Sequence, residues 1–190
     1  SVEPMLMASR DGIHFYRWME HPLILNSAPS DRNKIRSNHL WQEMVELPDE
    51  PDKFSMYASE NLGIKGPHVD GSFPRVRRFT IRKDGFVSVR AKAQQGELVT
   101  KLLIFAGDKL TVNSNAQLGE SGSVRVEILD DKQHPIPDFT IKDCDPFSMD
   151  EIDATVTWKG RADVSALAGK PIHLRFVLND ADLFSFRFTE

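Results

Sequence analysis

The feature that most constrains the fold of this chain is a strict alternation of apolar residues near its end. The residues that recur at every second position are Ile172, Leu174, Phe176 and Leu178, followed after Asn-Asp-Ala-Asp by Phe184, Phe186 and Phe188. A period of two places such side chains on one face of an extended strand, whereas an amphipathic helix requires a period near 3.6. We therefore predict two half-buried strands joined by a turn, at the end of an all-β module.

The same kind of pattern extends over residues 84–190. Helical periodicity is nearly absent, apart from residues 29–40 and a short capped turn at 163–168. The predicted strands of this part are Phe86–Ala91, Glu97–Phe105, Lys109–Asn113, Ser123–Leu129, Phe139–Ile141, Thr155–Trp158, Ile172–Leu178 and Leu183–Phe188. So many short strands separated by turn residues are typical of an antiparallel β-sandwich of the jelly-roll kind, and we predict one at 84–190.

The first part of the chain, residues 1–83, has fewer strand signals. Four strands are predicted here, at Pro4–Ser9, Ile13–Trp18, Phe54–Ser59 and Arg75–Lys83. Four strands form about one sheet, and a single sheet cannot bury both of its faces. We therefore expect residues 1–83 to expose apolar surface and to contact a partner, either an upstream segment or a second copy of the chain.

Two Asp-Gly pairs lie between predicted strands, at Asp11-Gly12 and Asp84-Gly85. A two-residue hairpin loop of type I′ needs positive φ at both central residues, which Asp-Gly adopts at little cost. Each pair therefore predicts a tight hairpin.

Charge and cysteine content exclude some classes of protein. The formal net charge is −4 and the pI is about 5.9, so no nucleic-acid-binding function is predicted. No apolar run reaches the roughly 20 residues that a membrane-spanning helix needs, and the single cysteine, Cys144, allows no internal disulfide. The one basic run is Arg75, Arg77, Arg78, Arg82 and Lys83; it is interpreted as the solvated face of a strand or, alternatively, as a contact for an anion or a sugar acid.

The candidate binding residues are aromatic and acidic. Trp18, Trp41 and Trp158 could each stack on a sugar ring, since pyranose faces carry apolar C–H bonds. For Trp158 burial in the core is the alternative, and Trp41 is the better exposed candidate. Glu60, just after the strand at 54–59, is a candidate sugar contact, with plain surface solvation as the alternative. Motifs for nucleophilic, zinc or phosphate-loop chemistry are missing from the sequence.

Metal binding is predicted only as an alternative. Asp180 and Asp182 could offer oxygens to a structural Ca²⁺, but a calcium ion takes six or more oxygen ligands and these residues supply too few alone. An ordinary Asn/Asp turn is the other interpretation. No other cofactor is predicted.

Several segments resemble a known family. Ser9–Phe15 (S-R-D-G-I-H-F) resembles a hairpin of β-propeller glycosidases and is similar to the sialidase Asp-box with its glycine displaced by one position. Leu40–Glu60 is similar to an outer propeller segment, and Arg75–Val89 resembles the junction between the last propeller strand and a C-terminal β-sandwich. Together they resemble the C-terminal part of bacterial glycosidase-like proteins of the five-bladed propeller clan, which contains invertase- and arabinanase-type enzymes.

The resemblance implies a partial propeller blade at 1–83 and an accessory sandwich at 84–190. The catalytic carboxylates of such enzymes would lie upstream of Ser1, so no catalytic residue is assigned and this chain alone is expected not to hydrolyse glycosides. The implied role is packing and stabilisation of the propeller, in a secreted or periplasmic protein. A carbohydrate-binding module and a structural interaction domain are the alternatives.

Overall fold

The computed structural model describes residues 2–17, 20, 22–23, 38–60, 74–92, 94–117 and 122–190. The chain divides into two compact units, Ser1–Arg82 and Lys83–Glu190, one residue before the boundary drawn from the sequence. The described part is all-β, as predicted: its strands form three antiparallel sheets, and none of these closes into a barrel. A 3-10 helix at Ser165–Leu167 lies where a capped turn was predicted. Within the described ranges, no helix is long and apolar enough to cross a bilayer.

Unit 1 (Ser1–Arg82) contains one sheet built around a long strand. Its strands are β1 (His39–Leu40), β2 (Val45–Leu47), β3 (Glu50–Glu60) and β4 (Arg75–Arg82). Strand β4 pairs with β3 along residues 53–60, so β1 and β2 share the other edge of β3. The predicted strands at 54–59 and 75–83 are thus confirmed within a few residues.

The predicted strands at Pro4–Ser9 and Ile13–Trp18 are wrong for the residues that the structure describes; Trp18 itself lies outside them. Here the backbones of Ala8 and Tyr16 form an isolated bridge, with no strand on either side. The Asp11-Gly12 pair does produce a turn, with Gly12 at φ +73°. The loop is wider than a two-residue hairpin, since the paired residues are Ala8 and Tyr16. The Asp11 carboxylate organises it by accepting hydrogen bonds from the backbone N–H of Ile13 at 2.9 Å and of His14 at 2.8 Å.

The second predicted hairpin, at Asp84-Gly85, is also wrong. Asp84 has φ +51°, as a turn residue should, but the strands on its two sides do not pair with each other. Strand β4 pairs with β3, whereas the next strand, β5 (Val89–Ala91), pairs near the end of the chain. Asp-Gly fixes a change of direction locally; which strands then pair is decided by where their apolar faces are buried.

Unit 2 (Lys83–Glu190) contains two sheets. After β5 its strands are β6 (Gly96–Val99), β7 (Lys109–Asn115), β8 (Ser123–Leu129), β9 (Asp150–Thr155), β10 (His173–Asn179) and β11 (Ala181–Thr189). One sheet has the order β6-β10-β8 and the other the order β5-β11-β7-β9. A single cluster of buried apolar side chains draws on both sheets.

Two predicted strands of unit 2 are misplaced, and two others are shorter than predicted: Phe86–Ala91 is reduced to β5, and Glu97–Phe105 to β6. Phe139–Ile141 lies in turns, and the strand expected at Thr155–Trp158 lies instead at Asp150–Thr155. The alternation of Val156 and Trp158 is real, since both are buried, but they reach the core from a segment that forms only isolated bridges. Over so short a stretch, two buried side chains at alternate positions give the same pattern as a strand although no continuous strand forms.

The Asn-Asp-Ala-Asp turn does not join two strands of one sheet. Strand β10 is central in the three-stranded sheet, and β11 lies inside the four-stranded sheet, so the chain crosses between sheets at Asp180, whose φ is +38°. The register of β11 shifts between Leu183 and Ser185. The extra residue in the strand shifts the alternation of inward and outward side chains by one position. Leu183, Phe186 and Phe188 therefore pack on the core, whereas Phe184, which was predicted to share their face, is not part of it.

Candidate functional site

The exposed face of the unit 1 sheet carries an aromatic pair among polar side chains. Directly paired residues of an antiparallel sheet point to the same face, so the register of the strands shows which residues belong to it. We call it the aromatic face; it comprises His39, Val45, Lys53, Ser55, Tyr57, Ser59, Val76, Arg78, Thr80 and Arg82, together with Trp41, which is hydrogen-bonded to Ser59.

Trp41 is held firmly although half of it is exposed. Its backbone N–H donates to the carbonyl of Tyr57 at 2.8 Å, and its indole Nε1–H donates to Ser59 Oγ at 3.0 Å. Its ring centroid lies 6.3 Å from that of Tyr57, with the two planes tilted by 34°. Trp41 is 50% exposed, so the residue is held by two hydrogen bonds while much of its ring remains open to solvent.

Arg78 lies beside this pair, because it is directly opposite Tyr57 in the register. Its Nε and one terminal nitrogen donate to Ser55 Oγ at 3.1 and 2.9 Å, and its guanidinium also pairs with the Glu50 carboxylate. These bonds fix the guanidinium over the strand, with about a third of the side chain exposed.

The other face of the sheet buries Glu60. Its carboxylate is fully buried and lies 2.7 Å from Arg75 Nε and 2.9 Å from a terminal nitrogen of Arg77. The predicted sugar contact at Glu60 therefore has no exposed surface: the carboxylate is neutralised inside unit 1. The basic run is divided between the two faces, with Arg75 and Arg77 on this one and Arg78 and Arg82 on the aromatic face.

Trp158 has a different place from Trp41. It is 1% exposed, its Nε1–H donates to the carbonyl of Val126 at 2.9 Å, and Phe139 packs edge-on against its ring. The alternative of burial is thus correct for Trp158, and its ring faces are not open to a sugar.

Of the two carboxylates considered for calcium, that of Asp182 is held by other side chains of unit 2. The Asp182 carboxylate is buried and accepts hydrogen bonds from Ser88 Oγ at 2.8 Å and from Arg90 at 2.8 and 2.5 Å. The bond to Arg90 is the largest cause that lowers the pKa of Asp182, against the opposing effect of burial. Both oxygens are therefore engaged by an arginine, and among the described residues no group of three His, Cys, Asp or Glu side chains is placed to bind a metal.

A cleft of about 640 Å³ lies along the Asp11 turn of unit 1. Its lining residues are Ala8, Ser9, Arg10, Asp11, His14 and Tyr16. His14 Nδ1 lies 2.6 Å from Asp11 Oδ2, and this bond lowers the pKa of Asp11 most strongly. Ser9 Oγ bonds to Asp11 rather than to the imidazole, so the arrangement organises the turn and lacks the nucleophile-to-base bond of a catalytic triad.

Sequence reasoning identified Trp41 but missed the residues around it. Tyr57, Ser59 and Arg78 are ordinary strand residues whose significance depends on their register with one another. The sequence does indicate the outward direction of Arg78, because polar Arg78 and Thr80 alternate with apolar Phe79 and Ile81; the structure exposes the first two and half-buries the others.

Comparison with known proteins adds no family assignment: no protein-family model, curated protein or solved structure matches the chain. The resemblance to propeller glycosidases therefore rests on the sequence motifs, and the site is argued from its own geometry.

Proposed function

We propose that this chain is a non-catalytic accessory part of a glycoside-hydrolase-like protein and that it binds carbohydrate on the aromatic face of unit 1. The observation that carries the proposal is Trp41, whose ring is half exposed and yet fixed through its backbone and its indole N–H. An exposed ring that is already ordered loses little conformational entropy when a ligand stacks on it.

The chemistry of the face suits a sugar. A pyranose ring presents apolar C–H groups to an aromatic plane and hydroxyl groups at its edge. Tyr57 widens the aromatic area, and His39 and Thr80 provide exposed polar groups on the same side of the sheet. Such a mixture of aromatic and polar groups is typical of binding surfaces that must hold amphipathic ligands.

The test is a glycan and polysaccharide array, followed by calorimetry on a glycan that binds. Trp41→Ala should reduce affinity at least about fivefold, given that stacking contributes roughly 1–3 kcal/mol per ring in a comparable setting. Phe15→Ala is the matched control, since Phe15 is a similarly exposed aromatic residue outside the face. Binding that is unchanged in Trp41→Ala would contradict the proposed site.

A second function is supported by unit 2. Its two sheets share one apolar core, and we propose that they form a β-sandwich that packs against and stabilises a larger protein. The blade-like character of unit 1 belongs to the same proposal and rests on the sequence resemblance. Release of reducing sugar from any glycoside by this chain would contradict the non-catalytic role; the assay should therefore cover α- and β-linked substrates.

A further inference from the structure

We propose that two copies of this chain associate by pairing strand β6 of unit 2 with the same strand of the second copy. The pairing is antiparallel about a two-fold axis at Val99, so that the three-stranded sheets of the two copies join into one continuous sheet. The contact lies in unit 2 and does not depend on carbohydrate binding by unit 1.

The outer edge of β6 has backbone groups available for another strand. The register of β6 with β10 pairs Val99 with Arg175. The next residue, Thr100, donates its N–H to the Leu174 carbonyl at 2.9 Å. Because hydrogen bonding alternates along an antiparallel ladder, the N–H and C=O groups of Glu97 and Val99 point away from β10. No described strand pairs with that edge, and a row of unpaired backbone groups is a template for strand addition.

The opposite edge of the same sheet is closed by the chain itself. On β8 the N–H of Val124 donates to the Phe147 carbonyl at 2.9 Å, and that of Val126 donates to Cys144 Sγ at 3.2 Å. A segment outside the sheet thus satisfies groups that β8 directs outward. Among the described residues no segment bonds in this way to the outer edge of β6.

The edges of the four-stranded sheet are protected in other ways. Strand β5 has three residues, and β9 has three acidic residues and an irregular register with β7. Short edges, charges and bulges all discourage strand addition. The outer edge of β6 and the residues just after it instead expose apolar side chains, namely Val99 by 41%, Leu102 by 52% and Ile104 by 68%. Association at this edge removes part of that apolar surface from water.

Charge favours a second copy of β6 as the added strand. Arg175 bonds to both Glu97 and Glu127, at 2.9 Å each, so two carboxylates against one guanidinium leave a formal charge of −1. Glu127 is buried, whereas the Glu97 side chain at the open edge is 43% exposed. Arg125, another cation on this face, is on β8 and therefore two strands away from Glu97. Lys101 is exposed and forms no ion pair within the described residues.

An antiparallel pair centred on Val99 brings these charges together. Val99 then faces the partner's Val99, and Glu97 faces the partner's Lys101. Opposite charges at directly opposed positions stabilise a strand pair, and the two-fold axis produces this contact twice. The outward N–H and C=O groups of Val99 bond to those of its counterpart. Strand β6 is thus complementary to itself, as a two-fold interface requires.

The ladder between the two copies is short. Leu103 pairs with Ile172, one residue out of the register that β6 keeps with β10, so the regular edge ends near Lys101. A ladder over Glu97–Lys101 is much smaller than a standard interface, which has roughly 20–30 residues on each side. We therefore expect a weak dimer with a dissociation constant of roughly 100 µM.

Sedimentation equilibrium of the full chain from about 10 µM to about 1 mM measures this association. Val99→Lys places two like charges opposite each other at the two-fold axis and should weaken the dimer about tenfold. Val89→Lys is the matched control, because Val89 belongs to the edge strand β5 and is 46% exposed. This control should leave the dissociation constant unchanged, and the urea midpoint of each variant shows that it is folded.

A charge exchange tests the register. Glu97→Lys and Lys101→Glu each place like charges opposite each other in a dimer of one variant, so each alone should self-associate about fivefold more weakly than the unaltered chain. An equimolar mixture places opposite charges at both contacts. The mixture should therefore form a heterodimer with about the original affinity, measured in the same centrifuge experiment.

Each measurement has an outcome that contradicts the proposal. A chain that stays monomeric up to about 1 mM would overturn it. A dimer that is as tight in Val99→Lys as in the unaltered chain would overturn it as well, because the contact would then lie elsewhere, for example in residues 1–83. A mixture of the two charge variants that associates no better than its components would exclude the antiparallel pairing about Val99.

Discussion

The two units of this chain bury different kinds of side chain. Among the described residues of unit 2, nineteen apolar residues from both sheets and from the segments between their strands form one buried cluster. In the described part of unit 1 the buried apolar residues are Met56 and Ala58, and they lie beside the buried polar residues Asn38, Ser55 and Glu60. Unit 2 is therefore stabilised mainly by removal of apolar surface from water, whereas the described sheet of unit 1 depends on hydrogen bonds and ion pairs.

This difference matches the proposed division of roles. A unit with a closed apolar core resists substitution on its surface but is sensitive to loss of volume inside. A sheet whose polar groups neutralise each other on one face can present fixed, exposed aromatic and charged groups on the other. The four predictions below test the comparison in order of expected size.

The largest effect is expected from Trp158→Ala. Removing a buried tryptophan leaves a cavity and the Val126 carbonyl without its donor, and should lower the free energy of unfolding of unit 2 by about 4 kcal/mol. Urea unfolding followed by circular dichroism measures the change. Trp41→Ala provides the same substitution at an exposed position of unit 1 and should cost less than about 1 kcal/mol. Equal costs would remove the distinction between the units.

The next effect compares two glycines with positive φ. A Cβ at Gly107, where φ is +113°, would lie 2.5 Å from the backbone oxygen of Thr189, whereas a Cβ at Gly12 meets nothing within 4 Å. Gly107→Ala should therefore cost about 3 kcal/mol through strain and overlap, and Gly12→Ala about 1 kcal/mol through strain alone. Thermal unfolding of both variants measures the difference. A larger loss in Gly12→Ala would contradict the view that unit 2 is the more tightly packed.

A smaller effect is expected from Glu60→Gln, which removes the buried negative charge that both Arg75 and Arg77 contact. Because both arginines are partly exposed, we expect a loss of about 2 kcal/mol, below the usual range for breaking a buried pair. Hydrogen exchange should become faster in β3 and β4 and remain unchanged in unit 2. Asp153→Asn breaks the exposed pair with Arg187 and should change stability by less than about 0.5 kcal/mol.

The smallest effect appears only in acid. The pKa of Asp182 is lowered on folding, chiefly by its hydrogen bond from Arg90. A carboxyl whose folded pKa is depressed contributes stability that is fully present above its unfolded pKa, about 3.9, and is lost as pH falls through the folded pKa. Asp182→Asn should therefore flatten the loss of stability of unit 2 below about pH 4. Urea midpoints measured across this range provide the check, and Arg90→Gln should reproduce the flattening if the assigned cause is right.

The sequence predicted the parts of the fold that depend on local pattern. The strand at Ser123–Leu129 was placed to the residue, because its alternation is bounded by turn residues on both sides. The hairpin expected at Asp84-Gly85 was wrong because the pairing of strands depends on contacts between distant parts of the chain. The residues of a turn do not determine which strands pair. The irregularity after Leu183 has no local signature either, so the predicted phase of Phe184 was wrong.

The candidate site shows the same limit. A tryptophan in a polar loop could be predicted as exposed from its neighbours, and Trp41 was. Its partners Tyr57 and Arg78 lie on two strands whose register fixes which residues meet, and nothing near either residue encodes that register. Glu60 was misjudged for a related reason, since its burial depends on Arg75 and Arg77 approaching from the neighbouring strand.

The crossing from β10 to β11 at Asp180 has a consequence for biosynthesis. Strand β10 lies between the two edge strands of the three-stranded sheet, and β11 is an inner strand of the four-stranded sheet. Both are translated after the other strands of unit 2, as one continuous segment from His173 to Thr189. Until that segment leaves the ribosome, β6 and β8 have no strand between them, and β5 has no partner in its sheet. The apolar side chains of the earlier strands therefore emerge before their sheets can close. We expect unit 2 to fold after translation of this segment, and the nascent chain to depend on chaperones until then.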